Sequence, residues 1–162
     1  MHKKLSAKKR DFEKAQDDYD YLCVLLDRYN ELWAAEPHNF IANFNDNQIT
    51  LLFYGVLYTQ VYNGGFLQLI FNGYAPYVFS KPLVDGLEAL GATSTAELIN
   101  SIKDIGLQVD KEIDKTSLES LSKSYKKYPD FENYDKSFYD NDGLKEVKDY
   151  VAQHLSDFIM LK

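Results

Sequence analysis

Residues 46–72 read DNQITLLFYGVLYTQVYNGGFLQLIFN, and this stretch decides the fold. Its only charged residue is Asp46, and it contains a nearly apolar run of 14 residues from Ile49 to Tyr62. A bilayer core requires about 20 apolar residues, so this run is too short to cross a membrane and predicts a buried helix. The Gly64–Gly65 pair ends that helix, and a short helix from Phe66 to Phe71 follows it.

The segments on either side also have helical periodicity. Apolar residues recur at every third or fourth position from Asp11 to about Ala35, which predicts a first helix with an acidic opposite face. Capping residues and apolar stripes predict further helices on the C-terminal side. They lie at residues 80–91, at residues 94–105, after Thr116 and, with Asp142 as the cap, at residues 142–158, with a polar loop at residues 128–141.

No segment alternates between apolar and polar residues with a period of two, so nothing indicates a sheet. We therefore predict an all-α protein with a single compact domain of about six to seven helices at residues 11–162. A basic flexible tail at residues 1–10 precedes this domain.

The charge is unevenly distributed. The chain has 18 Lys plus Arg against 25 Asp plus Glu, a net charge of −7, but five of the bases lie in residues 1–10, so residues 11–162 carry −12. The acids are concentrated in residues 11–36 and 128–157. Nucleic acid and anionic membranes both attract concentrated positive charge, so this balance argues against either as a direct partner and favours a basic protein.

Cysteine usage and the N-terminal sequence indicate the compartment. Cys23 is the single cysteine and cannot form an intramolecular disulfide. The first residues lack the apolar core and cleavage site that are typical of a secretory signal. We expect a cytoplasmic protein.

No group of residues indicates catalysis. The three histidines are not at metal-ligand spacing, and Gly64–Gly65 lacks the G-x-x-x-x-G-K-[ST] frame of a phosphate-binding loop. We expect no catalytic residue, no metal site, no cofactor and no enzymatic activity.

Three motifs resemble those of a known bacterial family. Residues 63–72, NGGFLQLIFN, resemble the signature N-G-G-F-x-Q-x-x-x-N of a family of unknown-function domains that includes an acidic DNA-mimic protein. Residues 87–92 resemble its L-x-x-I-G-A helix end, with Leu90 in place of isoleucine. Tyr134-Asp135 followed by Phe138-Tyr139 resembles its segment of an Asp and paired aromatics, so the similarity covers residues 45 to 155.

The resemblance implies an all-helical protein that binds a basic protein, a DNA-binding transcription regulator, in place of DNA. The resemblance leaves open whether the protein forms a homodimer. Two other interpretations also stay open: an immunity-type protein that neutralises a toxin by binding it, and a family member of unassigned function.

Two sets of acidic residues are candidates for contacting such a partner. They are Glu13, Asp17, Asp20, Asp27 and Glu31 on the first helix, and Glu132, Asp135, Asp140, Asp142, Glu146 and Asp149 in the C-terminal region. On one continuous helix the first set spans about 27 Å, along which a duplex presents about 16 phosphates. The first set would imitate part of one strand, and the second set would supply the other. The alternative is an ordinary solvated helix face, which is commonly charged.

The family signature also has a physical interpretation of its own. Asn63 can close the preceding helix, Gly64 or Gly65 can take a positive φ, and Phe66 can anchor the turn in the core. Gln68 and Asn72 lie four residues apart on one helical face and can satisfy backbone groups of the turn. The alternative is a ligand or partner site that uses the same polar side chains.

Overall fold

The computed structural model describes residues 5–162, which form ten α-helices, one 3-10 helix and a two-stranded sheet. In chain order these are β1 (Ser6–Ala7), α1 (Lys9–Glu13), α2 (Asp18–Ala35), the 3-10 helix (Phe40–Asn43), α3 (Asp46–Phe71), α4 (Ala75–Val78), α5 (Lys81–Ala89), α6 (Thr93–Glu112), α7 (Leu118–Lys127), α8 (Phe131–Asp140), α9 (Leu144–Gln153), α10 (Leu155–Phe158) and β2 (Met160–Leu161). The predicted all-α class is confirmed, with more helices than the six to seven expected. None of the described helices has the length and apolar character needed to cross a bilayer.

Helix α3 is the central element, and most other helices pack against it. It begins at a capping box, in which the Asn45 side chain accepts the Gln48 amide and the Gln48 side chain accepts the Asn45 amide, both at 2.9 Å. Buried residues line it from Thr50 to Ile70, so its sequence is apolar on nearly every face. The predicted interruption is confirmed, because Gly64 and Gly65 have non-helical dihedral angles and divide α3 into two segments.

The predicted first helix, from Asp11 to Ala35, is wrong in its continuity. The chain leaves α1 at Lys14 and starts α2 at Asp18, because the Asp17 carboxylate accepts the Asp20 amide at 2.8 Å and caps a new helix. Glu13 and Asp17 therefore do not lie on the same helix as Asp20, Asp27 and Glu31.

The predicted polar loop at residues 128–141 is also wrong, because it contains α8. Phe131 and Phe138, seven residues apart, lie on one face of that helix and are fully buried. The preceding helix boundaries differ as well. Helix α6 continues to Glu112 instead of ending near Ile105, and Ser117, not Thr116, caps α7 by accepting the Ser120 amide.

The predicted flexible tail falls partly outside the described residues, since residues 1–4 are not among them. The rest of it is built into the fold, because β1 pairs with β2 in parallel. The Met160 amide donates to the Leu5 carbonyl at 3.0 Å, and the Lys162 amide donates to the Ala7 carbonyl at 2.9 Å.

The C-terminal helix α10 is held by polar contacts to α2 and α3. The Phe158 carbonyl accepts the buried Tyr29 hydroxyl at 2.6 Å and the Gln48 amide group at 2.9 Å. The Asn45 side chain donates to the Asp157 carbonyl at 2.8 Å. These contacts fix the end of the chain on the start of α3.

Substituting Tyr29→Phe tests the contribution of this attachment. The variant removes the hydroxyl donor but leaves Gln48 bonded to the same carbonyl, so we expect the free energy of unfolding to fall by about 1 kcal/mol in urea titrations. Tyr134→Phe is the control, because this partly buried ring packs on Phe131 and its hydroxyl has no hydrogen-bond partner among residues 5–162. Equal losses in the two variants would contradict the assignment.

Candidate functional site

The family signature forms the kink in α3, and two residues from distant helices hold it. Gly65 has φ +83° and ψ 178°, a conformation that side-chain-bearing residues rarely adopt. The Phe66 amide, freed by the kink, donates to Asp135 Oδ1 of α8 at 2.8 Å. The Tyr125 hydroxyl of α7 donates to the Gly64 carbonyl. The broken backbone groups are therefore satisfied by side chains.

The close approach of Asp135 explains why residue 65 is a glycine. A Cβ at Gly65 would lie 2.3 Å from Asp135 Oδ2, which is far inside van der Waals contact. Phe66 then enters the core, where its ring lies 6.0 Å from Phe79 and 5.9 Å from Phe138 between ring centroids. The predicted positive φ and the anchoring role of Phe66 are both present.

The signature amides contact the two sides of the kink. The Gln68 side chain lies over Gly64, where a Cβ would fall 1.8 Å from its Oε1. Asn72 donates to Gln60 Oε1 at 2.8 Å and so joins the segment after the kink to the segment before it. Asn63 is exposed. These contacts support a structural role for Gln68 and Asn72, and a partner-binding role for the same amides stays a prediction.

Asp135 has a perturbed carboxyl group. Burial raises its pKa above the usual range, the hydrogen bond from the Phe66 amide opposes that rise, and the charge of Glu132 adds to it. This acid belongs to the set predicted to contact a partner. In the structure it is partly buried and bonded to the kink.

Asp142 is also engaged within the protein. Its Oδ2 accepts the Tyr62 hydroxyl at 2.5 Å, its Oδ1 accepts the Leu144 amide at 3.0 Å, and its backbone carbonyl accepts the Tyr54 hydroxyl at 2.9 Å. The carboxylate therefore joins the start of α9 to α3. Gly143, and not the predicted Asp142, occupies the cap position of α9.

Four of the candidate acids form short-range salt bridges on exposed helix surfaces. The pairs are Glu13–Lys9 at 3.7 Å, Glu31–Arg28 at 3.6 Å, Glu132–Lys136 at 3.3 Å and Asp149–Lys145 at 2.5 Å. Such exposed pairs contribute little to stability and are screened by salt, so a partner can displace them at little cost. Five others have no salt bridge with residues 5–162: Asp17, Asp20, Asp27, Asp140 and Glu146.

A row of tyrosines, which sequence reasoning did not identify, crosses the surface between the two acidic sets. Tyr19 of α2 stacks on Tyr58 at 4.7 Å between ring centroids, Tyr58 lies 4.6 Å from Tyr62, and Tyr62 lies 5.2 Å from Tyr139 of α8. Tyr58 and Tyr62 lie four residues apart on α3, which is the one part of this row that helical spacing could have revealed.

The tyrosine row links members of the two acidic sets. Tyr58 stacks on Tyr19 of α2 and packs against Tyr62, whose hydroxyl donates to Asp142. Burial raises the pKa of the Tyr58 hydroxyl, and the charges of Asp142 and Asp17 add to that rise. Helix α2 packs against α9, and Lys148 Nζ lies 3.6 Å from Asp18 Oδ1 across that contact. Asp18, which is not among the predicted acids, belongs to the same surface.

The charges of further acids on this surface affect the pKa values of two other groups, Cys23 and Tyr54. Burial raises the pKa of the Cys23 thiol, and Asp27, Asp20 and Asp17 add to that effect. Burial likewise raises the pKa of the Tyr54 hydroxyl, with Asp142 and Glu146 among the added causes. We call the surface formed by Asp17, Asp20, Asp27, Asp142 and Glu146 the α2–α9 acidic surface. The described residues contain no group of three or more His, Cys, Asp or Glu side chains placed to hold a metal ion.

The substitution Gly65→Ala tests the steric requirement of the kink. Gly73 is a control for a positive φ without a close neighbour, because its φ is +87° and a Cβ there would meet nothing within 4 Å. We expect Gly73→Ala to lower the free energy of unfolding by about 1 kcal/mol, from backbone strain alone, and Gly65→Ala to lower it by about 3 kcal/mol. Similar losses in urea titrations would contradict a steric requirement that is specific to Gly65.

A pH series on Asp135→Asn tests the electrostatics of the kink. The amide keeps an oxygen for the Phe66 N–H but removes the carboxyl group whose pKa burial raises. A raised folded-state pKa adds stability below the unfolded pKa of about 3.9, and this contribution is lost as the pH rises through the folded value. We therefore expect the stability of the variant relative to the parent to increase from about pH 4 upwards.

The exposed Glu88→Gln on α5 is the control for this series, because Glu88 forms no salt bridge with residues 5–162 and takes no part in the kink. Its stability relative to the parent should change less over the same range. A relative stability of Asp135→Asn that stays constant or falls with rising pH would contradict the assignment.

Comparison with known proteins places the chain in a family. A DNA mimic protein, DMP19, of Neisseria meningitidis serogroup B is 29% identical over 147 residues, which cover 88% of this chain and 86% of the relative. A family model described as DMP19-like protein matches residues 42–154, which include the kink, α8 and α9. The chain belongs to the DMP19-like protein family.

Proposed function

We propose that this protein is a non-enzymatic DNA mimic that occupies the DNA-binding surface of a basic protein. The observation that carries the proposal is the geometry of the α2–α9 acidic surface, where stacked and packed tyrosine rings join α2 to Asp142 and α2 packs against α9. The name of the meningococcal relative, a DNA mimic protein, supports the same role for this chain.

The corrected helix boundaries change the geometry of the proposed mimicry. From Asp17 to Glu31 the carboxylates extend over about 21 Å of helix axis, along which a duplex presents about 12 phosphates. Helix α2 alone therefore has a lower charge density than one strand of DNA. The neighbouring acids of α9 and Asp142 increase that density, so the proposed interface uses both helices together.

The tyrosine row gives this surface a second property. Burial raises the pKa of all four of its hydroxyls, so the rings stay protonated and uncharged at neutral pH. Neutral, partly exposed tyrosine rings therefore lie between the carboxylates of α2 and Asp142. Basic side chains can pack against such rings while they pair with the acids.

A DNA-binding transcription regulator is the partner that this role implies, and such a partner places the protein in the cytoplasm of a bacterium. A basic toxin would fit the same surface, which keeps the immunity-type interpretation as the competing one. The homodimer left open by the sequence stays a prediction.

A competition experiment tests the proposal. A basic DNA-binding regulator that the immobilised protein retains from the native host at low salt is purified and mixed with its operator DNA. We expect the protein to displace the operator in a mobility-shift gel, with an affinity that falls as salt rises, because both ligands use the same basic surface. A regulator that keeps its DNA while bound to this protein would contradict mimicry.

Charge-matched variants locate the surface. The triple variant Asp17→Asn, Asp20→Asn and Asp27→Asn keeps an N-cap side chain at residue 17, since Asn is also a good cap. We expect it to lose at least about tenfold in affinity for the regulator, at about 1.4 kcal/mol per tenfold. Glu88→Gln, Glu97→Gln and Asp104→Asn remove the same charge from exposed positions of α5 and α6. An equal loss in this control would mean that net charge, rather than the α2–α9 acidic surface, governs binding.

A further inference from the structure

A cavity of about 410 Å³ lies between α2 and α3, at the edge of the α2–α9 acidic surface. Its lining includes Tyr19, Asp27, Asn30 and Trp33 from α2, Gln60 from α3, and Tyr74. Its volume is at the lower end of the roughly 300–1,000 Å³ of small-ligand pockets, which suits a single side chain.

The charge of this cavity is negative. Asp27 is exposed and forms no salt bridge with residues 5–162, and the lining contains no Lys, Arg or His. The nearest base along the chain, Arg28, pairs with Glu31 instead, at 3.6 Å. The carboxylate of Asp27 is therefore available to an incoming cation.

The aromatic walls of the cavity are held in place by other rings. Trp33 stacks on Phe40 with 4.6 Å between ring centroids and meets Tyr74 edge-on at 6.4 Å, and Tyr19 stacks on Tyr58. Fixed aromatic rings beside a carboxylate favour a guanidinium over an ammonium group. A guanidinium is planar and weakly hydrated, stacks on ring faces and binds a carboxylate with two hydrogen bonds.

Two amides complete the polar lining. The side chain of Gln60 is oriented by Asn72 of the family signature, which donates to its Oε1 at 2.8 Å. Asn30 is exposed beside Asp27 on the same face of α2. Their oxygen atoms can accept hydrogen bonds from the guanidinium nitrogens that the carboxylate leaves free.

We infer that this cavity binds one arginine side chain of the basic partner, with the guanidinium paired to Asp27 and stacked on the aromatic walls. The inference rests on the proposed function, since it supplies the α2–α9 acidic surface with a recessed contact. The negative charge of Asp27 favours a cation in this cavity, and the aromatic walls favour arginine over lysine.

Two synthetic peptides test the inference without any knowledge of the partner. Trp33 is the only tryptophan in the sequence and lines the cavity, so its fluorescence reports on occupancy. Hexa-arginine and hexa-lysine carry the same charge, and each is titrated into the protein at matched ionic strength. We expect hexa-arginine to bind about tenfold more tightly, and Asp27→Asn to reduce this ratio to about one.

Asp20→Asn is the matched control, because it removes one charge from α2 outside the cavity lining and Asp20 forms no salt bridge with residues 5–162. It should weaken both peptides alike and leave their ratio near tenfold. Thermal melting confirms that both variants are folded. A ratio near one in the parent protein, or an unchanged ratio in Asp27→Asn, overturns the inference.

The result is separable from the test of DNA mimicry. If the peptides show the expected preference while operator competition fails, the arginine site stands and the mimic role falls. If competition succeeds and the peptide preference is absent, the mimic acts through exposed carboxylates and the cavity has no part in it.

Discussion

The hydrogen bond from the Phe66 amide to Asp135 is the contact on which the arrangement of the other helices depends. The 26 residues of α3 form two segments that meet at a kink, and buried residues line both segments. Gly64 and Gly65 redirect the helix, and Asp135 satisfies the amide that the change of direction frees. The same carboxylate fixes α8 against the kink, which places Phe138 on Phe66 and Tyr139 on Tyr62. One polar contact thus positions both the core and the edge of the acidic surface.

The position of the proposed binding surface depends on which elements pack beside α3. Its Tyr58 and Tyr62 project between α2 and the segment before α9, and each acidic set approaches the same rings from one side. The cost of bringing like charges together is reduced because Tyr62 donates a hydrogen bond to Asp142 and Lys148 lies beside Asp18. A partner with basic side chains would relieve the remaining repulsion, which is the physical basis for expecting tight but salt-sensitive association.

Local signals in the sequence predicted the local features of this fold. The glycine pair at the kink, the helix that follows residue 80 and the all-helical class depend on short stretches, and the structure has all three. The apolar periodicity continues across the break before α2 and therefore does not reveal it. The break depends on one residue, Asp17, whose side chain caps the new helix. Helix α8 was missed because its polar residues concealed two phenylalanines at helical spacing. The tyrosine row joins residues 19, 58, 62 and 139, and no local pattern relates positions so far apart.

The strand pair at the ends of the chain bears on the order in which the molecule folds. Ser6 faces Met160 across the pair, and Tyr29 reaches Phe158 over 129 residues of sequence. Contacts between such distant residues carry the largest loop-closure entropy, so they are expected to form after the transition state, once α3, α5 and α6 have assembled from nearer neighbours. Stabilising this closure would then slow unfolding and leave the folding rate almost unchanged. The pairing of β1 with β2 is therefore expected to affect the unfolding rate more than the folding rate.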